Sequence, residues 1–416
     1  MLKRIIIAAM TFVAMLSLMF NVEAAKSNNI LIYWYVCGTN IETTNIALKP
    51  GTDLSSDDTN AIILAEPDRN PGDVTRCIKE VEKANLSSNV KIFMQAGGTY
   101  IWGHEKFRDL NAKIQTGLGK EGHNRVGNGN AFFIEWHLND DIEPGTMISI
   151  GKLGRYVYDK NHKNWRPLEQ LQITGARNTE TDMGSIEGFV SFLKAGQELE
   201  KKLYPDGNVR RVLILKNHGG GIMGVCEDQY TRNIISLKEM QEAFNQVKDG
   251  WTNLDEKPFE VVAFDACIMS VYETAIAVKD AANYMVASQE STFNKVGFNY
   301  TGLLNDLSKN PAMSGKELGK VICATTWEDS KVTDKESNIN SNNMFTESVI
   351  DLSEEKMNAL QTAYENFSEE SSKLIRQNPD DIVYNFAKFQ NAANSSERFP
   401  LLGDGTPNMV GYFPRT

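Results

Sequence analysis

Two short segments carry residue types that covalent hydrolysis needs. The apolar run Arg211-Val212-Leu213-Ile214-Leu215-Lys216 leads into Asn217-His218 and then Gly219, Gly220 and Gly221. A second run, Phe259-Glu260-Val261-Val262-Ala263-Phe264, leads into Asp265-Ala266-Cys267. A cysteine attacks carbonyl carbon as its thiolate, and a nearby imidazole can take the thiol proton and later deliver it to a leaving amine. Glycines without a Cβ let backbone N–H groups approach a substrate closely. One such donor beside the histidine, at Gly219, and one at Cys267 could hold the oxyanion of a tetrahedral intermediate. Asp265 stands two residues before Cys267. In an extended segment both side chains project to the same side, where a carboxylate could neutralise a Lys or Arg of the substrate.

Each residue also has a structural role open to it. A cysteine after an apolar strand packs, a histidine before glycines turns the chain, and Asp265 could cap a helix. The combination is more specific than its members. His104, His123, His137 and His162 lie in a polar stretch without a matched partner and read as surface or structural residues.

The elements around these segments predict how they meet. Ile30–Cys37 and residues 90–95 are apolar and β-prone, as are residues 211–216, 259–264 and 284–288. Continuous apolar runs of this length suit strands buried on both faces of a parallel sheet. Helical periodicity over 72–85 and 184–203, and a helical stretch over 237–247, supply crossovers between them. Neighbouring strands lie about 5 Å apart, so a His and a Cys on adjacent strand ends can face one site. Ligands of open parallel sheets bind beyond those C-terminal ends. A helix over Met269–Lys279 would place Cys267 at its N-terminus, which favours a thiolate. Residues 100–180, with strand-like pieces at Ala131–Glu135 and Tyr156–Tyr158, read as a polar insertion. Residues 313–416 read as a mostly helical region packed on the core, with helices near 316–327, 354–377 and 381–393.

The remaining composition bounds the setting. Residues 1–24 have Lys3 and Arg4, an apolar run from Ile5 to Phe20, and Val22 and Ala24 before the expected cut, as a secretory signal peptide does. The expected product is exported, with no stable membrane insertion after that cut. The catalytic domain is expected over 25–312. The net charge is −11, spread along the chain, with no electrostatic footprint for nucleic acid. Five cysteines, an odd number, leave at least one thiol unpaired in an exported chain. No Cys/His cluster has zinc-ligand spacing, no EF-hand pattern is present, and no G-x-S-x-G motif supports a serine esterase.

The segments Leu213–Gly221 and Phe264-Asp265-Ala266-Cys267-Ile268-Met269 resemble those of the clostripain family, within the caspase–gingipain–legumain group of cysteine peptidases. Residues 284–290 and 313–318 extend the likeness, which runs loosely from about residue 29 to 410. The resemblance implies an α/β fold: a caspase-like α/β/α sandwich with a mostly parallel sheet, plus the helical C-terminal region. It implies peptide-bond hydrolysis through a thioester by Cys267 and His218, acting on protein or peptide substrates. Asp265 would bind the residue before the cut, usually Arg or Lys in that family, with Glu290 and Lys295 beside it. Lys295 stands near a position where the family often has an acid, and its charge opposes a basic substrate. Self-cleavage after Arg232 is a further expectation. No cofactor is required, calcium could assist as it does some relatives, and a monomer is expected. The competing reading is a secreted binding protein that keeps the fold with impaired catalysis.

Overall fold

A computed structural model describes residues 27–43, 46–48, 62–64, 72–99, 104, 124–126, 132–134, 154–161, 163–171, 182–228, 231–251, 257–290, 292, 297–337 and 346–377. The elements in chain order are β1 (Ile30–Cys37), the short α1 (Thr39–Thr43), β2 (Ile46–Leu48), β3 (Ile62–Leu64), α2 (Asp73–Lys83), β4 (Val90–Gly97), β5 (Asn124–Val126), β6 (Phe132–Ile134), β7 (Gly154–Asp159), β8 (Asn164–Pro167), α3 (Ile186–Leu203), β9 (Arg210–Lys216) and α4 (Leu237–Val247). They continue with β10 (Phe259–Asp265), α5 (Tyr272–Val278), β11 (Ala282–Ser288), α6 (Tyr300–Lys309), α7 (Gly315–Ser337), β12 (Glu347–Asp351) and α8 (Glu354–Gln377).

The apolar runs build an eight-stranded sheet in the order β12-β11-β10-β9-β1-β4-β7-β8. Its five central strands are parallel, and β12, β7 and β8 join antiparallel at the two edges. A separate four-stranded sheet has the order β3-β2-β6-β5.

Alternation along each central strand feeds two cores, which explains why those strands are apolar throughout. Leu213, Leu215, Val262 and Phe264 pack with Phe189, Phe192 and Leu193 of α3 and with Met240 and Phe244 of α4. Val212, Ile214, Val261 and Ala263 point the other way, toward Val74, Cys77 and Ile78 of α2, Leu303 and Leu307 of α6, and Leu318 and Ile322 of α7. Each Val, Leu, Ile, Phe or Met side chain among these, fully buried, stabilises the fold by about 1.5–3 kcal/mol. The layering is helix, sheet, helix, as expected. Helix α4 starts at a capping box, with Ser236 and Glu239 satisfying each other's backbone N–H groups.

The region after residue 312 holds the helices α7 and α8, packs on the core through α7, and adds the edge strand β12 to the central sheet. The polar stretch at 100–180 likewise contributes β7 and β8 to the sheet itself, and His104 within it is buried, 3.3 Å from Glu82. The expected signal segment and the helix over 381–393 lie outside the described residues. No helix among the described residues is long and apolar enough to cross a membrane.

Candidate active site

The register between β9 and β10 aligns Lys216 with Asp265, the last residue of each strand. His218 and Cys267 both stand two residues beyond that pair, on one edge of the sheet. The backbones stay in contact past the strands: a Cβ at Gly219 would collide with the carbonyl oxygen of Cys267, so only glycine fits there without displacement. The loop after Gly219 folds back through the pairing of Gly219 with Val225, with Gly220 N–H donating to Gly224 O at 2.8 Å and Cys226 N–H to His218 O at 3.3 Å. Asn217 anchors the same loop by donating to Cys37 O at 2.7 Å and accepting from Glu227 N–H at 2.8 Å. Neither Gly219 N–H nor Cys267 N–H donates a hydrogen bond to another described residue.

Burial lowers the pKa of the His218 imidazole below its ordinary value; Lys216 acts in the same direction, and the carboxylates of Glu227 and Asp73 act against it. A neutral imidazole is the form that can take a thiol proton.

All five cysteines are free thiols. Burial raises the pKa of Cys37, Cys77 and Cys226 and keeps them protonated. Cys323 is half-buried, and its thiol is pushed up to about 12 by burial and by Glu347. That leaves Cys267, half-buried and at the strand edge, as the candidate nucleophile. Its Sγ accepts from Thr292 N–H at 3.2 Å and donates to Thr292 O at 3.4 Å, with the Thr292 hydroxyl also at 3.4 Å. The first contact suits a thiolate, which accepts, and the second a thiol, which donates. Thr292 escaped the sequence reading because nothing in its own segment marks it.

Cys267 is not at a helix N-terminus. α5 begins only at Tyr272, and Cys267 lies in a turn pinned to the end of β11 by Ile268 N–H donating to Glu290 O at 3.0 Å and Ser270 N–H to Ser288 O at 2.8 Å. Ile268 has φ 50°, a left-handed conformation that costs a β-branched residue about 1–3 kcal/mol. The turn, rather than a helix dipole, presents the thiol.

Asp265 is 1% exposed and fully engaged. Its Oδ2 lies 3.3 Å from Lys216 Nζ and accepts from the Tyr300 hydroxyl at 2.9 Å, while Oδ1 accepts from Phe298 N–H at 3.3 Å. Glu290 is half-buried beside the Cys267 turn, its N–H donating to Thr346 Oγ1 at 3.0 Å, and burial raises its carboxyl pKa. Lys295 lies outside the described residues. Arg232 occupies an exposed loop position with φ 60°, 3.2 Å from Glu227 Oε1. Among the described residues, no three His, Cys, Asp or Glu side chains group closely enough to hold a metal ion.

A mostly parallel sheet with a His-Gly loop and an Asp-x-Cys turn on adjacent strand ends is the arrangement of a cysteine-peptidase fold. The chain belongs to the clostripain family, whose sequence model matches residues 150–402. No curated protein matches it. Among solved structures it is similar to a secreted C11 cysteine protease from Bacteroides thetaiotaomicron in complex with an irreversible peptide inhibitor, at 13% identity and a TM-score of 0.44, over 80% of this chain and 68% of that one. A second structure of a secreted C11 cysteine protease from that organism, "iotapain", aligns at 12% identity and a TM-score of 0.42, over 83% and 71% of the two chains. An inactive zymogen C11 protease from Parabacteroides distasonis aligns at 15% identity and a TM-score of 0.37, over 82% and 65%.

Proposed function

We propose that this chain is an exported cysteine endopeptidase in which Cys267 is the nucleophile and His218 the acid/base partner. The observation that carries the reading is the register of β9 with β10, with Gly219 backbone packed on the Cys267 carbonyl. In the reaction, His218 takes the Cys267 proton and the thiolate attacks the scissile carbonyl carbon. The oxyanion gathers hydrogen bonds from Gly219 N–H and Cys267 N–H. His218 then protonates the amine as the C–N bond breaks, leaving a thioester on Cys267. Water, deprotonated by His218, attacks that thioester, releasing the carboxylic product and returning the proton to the thiol.

Export rests on the leader-like composition of residues 1–24. The basic preference and the self-cleavage after Arg232 implied by the resemblance both require Asp265 to receive a substrate cation, and the existing partners of that carboxylate count against it. The reading of an impaired binding protein has one observation in its favour, the hydrogen bonds that already engage the thiol at Thr292. Hydrolysis of a fluorogenic peptide mixture separates the two. Wild-type protein should cleave it, with Cys267→Ala and His218→Ala variants folded but inactive. Undiminished turnover by Cys267→Ala would exclude the peptidase reading.

A further inference from the structure

Lys216 ends a strand whose even-numbered side chains face the α2, α6 and α7 layer, and its neighbour across the register is Asp265. Both are buried, at 4% and 1% exposure. Lys216 Nζ lies 2.8 Å from Asp73 Oδ2 and 3.3 Å from Asp265 Oδ2. Asp73 continues the network through Arg76 Nη2 at 3.2 Å, and Arg76 Nη1 reaches Glu80 Oε1 at 2.5 Å. Asp265 therefore has a cation, a phenol and a backbone amide already in place.

Backbone packing covers the pair as well. The backbone at Gly297 lies over the pair so tightly that a Cβ there would stand 2.9 Å from both Asp265 Oδ1 and Lys216 Nζ. From that side a guanidinium or an ammonium could reach Asp265 only by displacing this backbone. A further carboxyl nearby is Glu347, at the start of β12. Its Oε2 is sealed from solvent with no hydrogen-bond partner among the described residues. Burial, reinforced by the charge of Asp265 and opposed by Lys216, holds its pKa well above the ordinary carboxylate range and keeps it neutral. Both oxygens of Asp265 are already engaged, by Lys216, the Tyr300 hydroxyl and the Phe298 amide, so a cationic side chain could pair with it only by displacing them, and an isolated buried charge is costly to bring in.

We infer that Lys216 fills from within the place a substrate cation would take, so that the enzyme cleaves after uncharged residues rather than after Arg or Lys. This rests on the peptidase reading above and makes Lys216 a specificity-determining residue. It also means that the Arg232–Asn233 bond is not a self-cleavage site.

A fluorogenic peptide series varied only at the residue before the cut, assayed on the wild-type protein at neutral pH, tests this directly. Uncharged residues should exceed Arg and Lys in kcat/KM by at least about tenfold; Arg or Lys as the best residue overturns the inference and leaves the peptidase reading standing. Lys216→Met frees Asp265 and should raise Arg and Lys turnover relative to uncharged residues by about tenfold or more. An unchanged ratio in that variant overturns the inference. Should Lys216→Met not fold, Lys216→Met with Asp265→Asn removes one charge of each sign and should keep the uncharged preference, whereas a switch to basic residues overturns it. Wild-type protein should also show the same intact chain as Cys267→Ala, and a Cys267-dependent cut after Arg232 overturns it. Hydrolysis of no peptide, with no probe labelling at Cys267, overturns both readings.

Discussion

At the scale of residues, the site is governed by which groups are charged. His218 is held neutral by burial, four of the five thiols are held protonated, and one lysine serves two buried aspartates. Glu347 is the exception, a buried carboxyl with a sealed, unpartnered oxygen. Its raised pKa has a thermodynamic consequence. The folded state keeps a proton that the unfolded chain releases near about 4.3, so the folded state is penalised increasingly as pH rises above that value. A glutamine cannot lose the proton. Glu347→Gln should therefore have a higher urea midpoint than wild type at pH 7, with the difference shrinking toward pH 4. A variant less stable than wild type at pH 7, or a gap independent of pH, would contradict the neutral assignment. Cys267 and His218 were legible as sequence because strand, glycines and Asp-x-Cys occur together. Lys216 was legible only as the last residue of a strand, since its pairing with Asp265 and Asp73 comes from the register and from α2. Glu347 and Thr292 carry no local signal at all.

At the scale of elements, two adjacent strand ends and the loops that leave them do the positioning. At Gly219 the two approach so closely that a Cβ would meet the Cys267 carbonyl. Gly219→Ala should force the His218 loop away from the Cys267 carbonyl and misplace one oxyanion donor. The expected result is a fall in kcat of about 10²–10³-fold with the far-UV circular dichroism retained; a kcat equal to wild type would show that this N–H does not meet the oxyanion. The long apolar or amphipathic elements β1, β9, β10, α3 and α4 were readable from composition and period. Other elements were not. β12 is five residues, Glu347-Ser348-Val349-Ile350-Asp351, too short and too polar at its ends to stand out. α6 contains Gly302, which weakens helical propensity by about 1 kcal/mol, and is held instead by Asn299 at its N-cap and by burial of Leu303, Leu304 and Leu307. The helix expected directly after Cys267 starts late because Ile268 and Ser270 bond to the end of β11 before any helical turn can form.

Across the molecule, the sheet runs from β8 to β12 and takes in a strand from beyond residue 312. α7 places Leu318 and Ile322 in the core behind β10 and β11, and β12 carries Glu347 to the neighbourhood of Asp265. The C-terminal part thus lies beside β11, next to the strand ends that carry the candidate residues from the middle of the chain. On the proposed reading, this architecture activates one thiol of five. A peptidyl acyloxymethyl ketone with an uncharged residue at the reactive end, followed by peptide mapping in a mass spectrometer, measures that claim most directly. One equivalent of adduct should appear on Cys267 and none on the other half-buried thiol, Cys323, with labelling slowed by about 10²-fold or more in His218→Ala. Equal labelling of Cys323, or a rate on Cys267 unaffected by loss of His218, would contradict it.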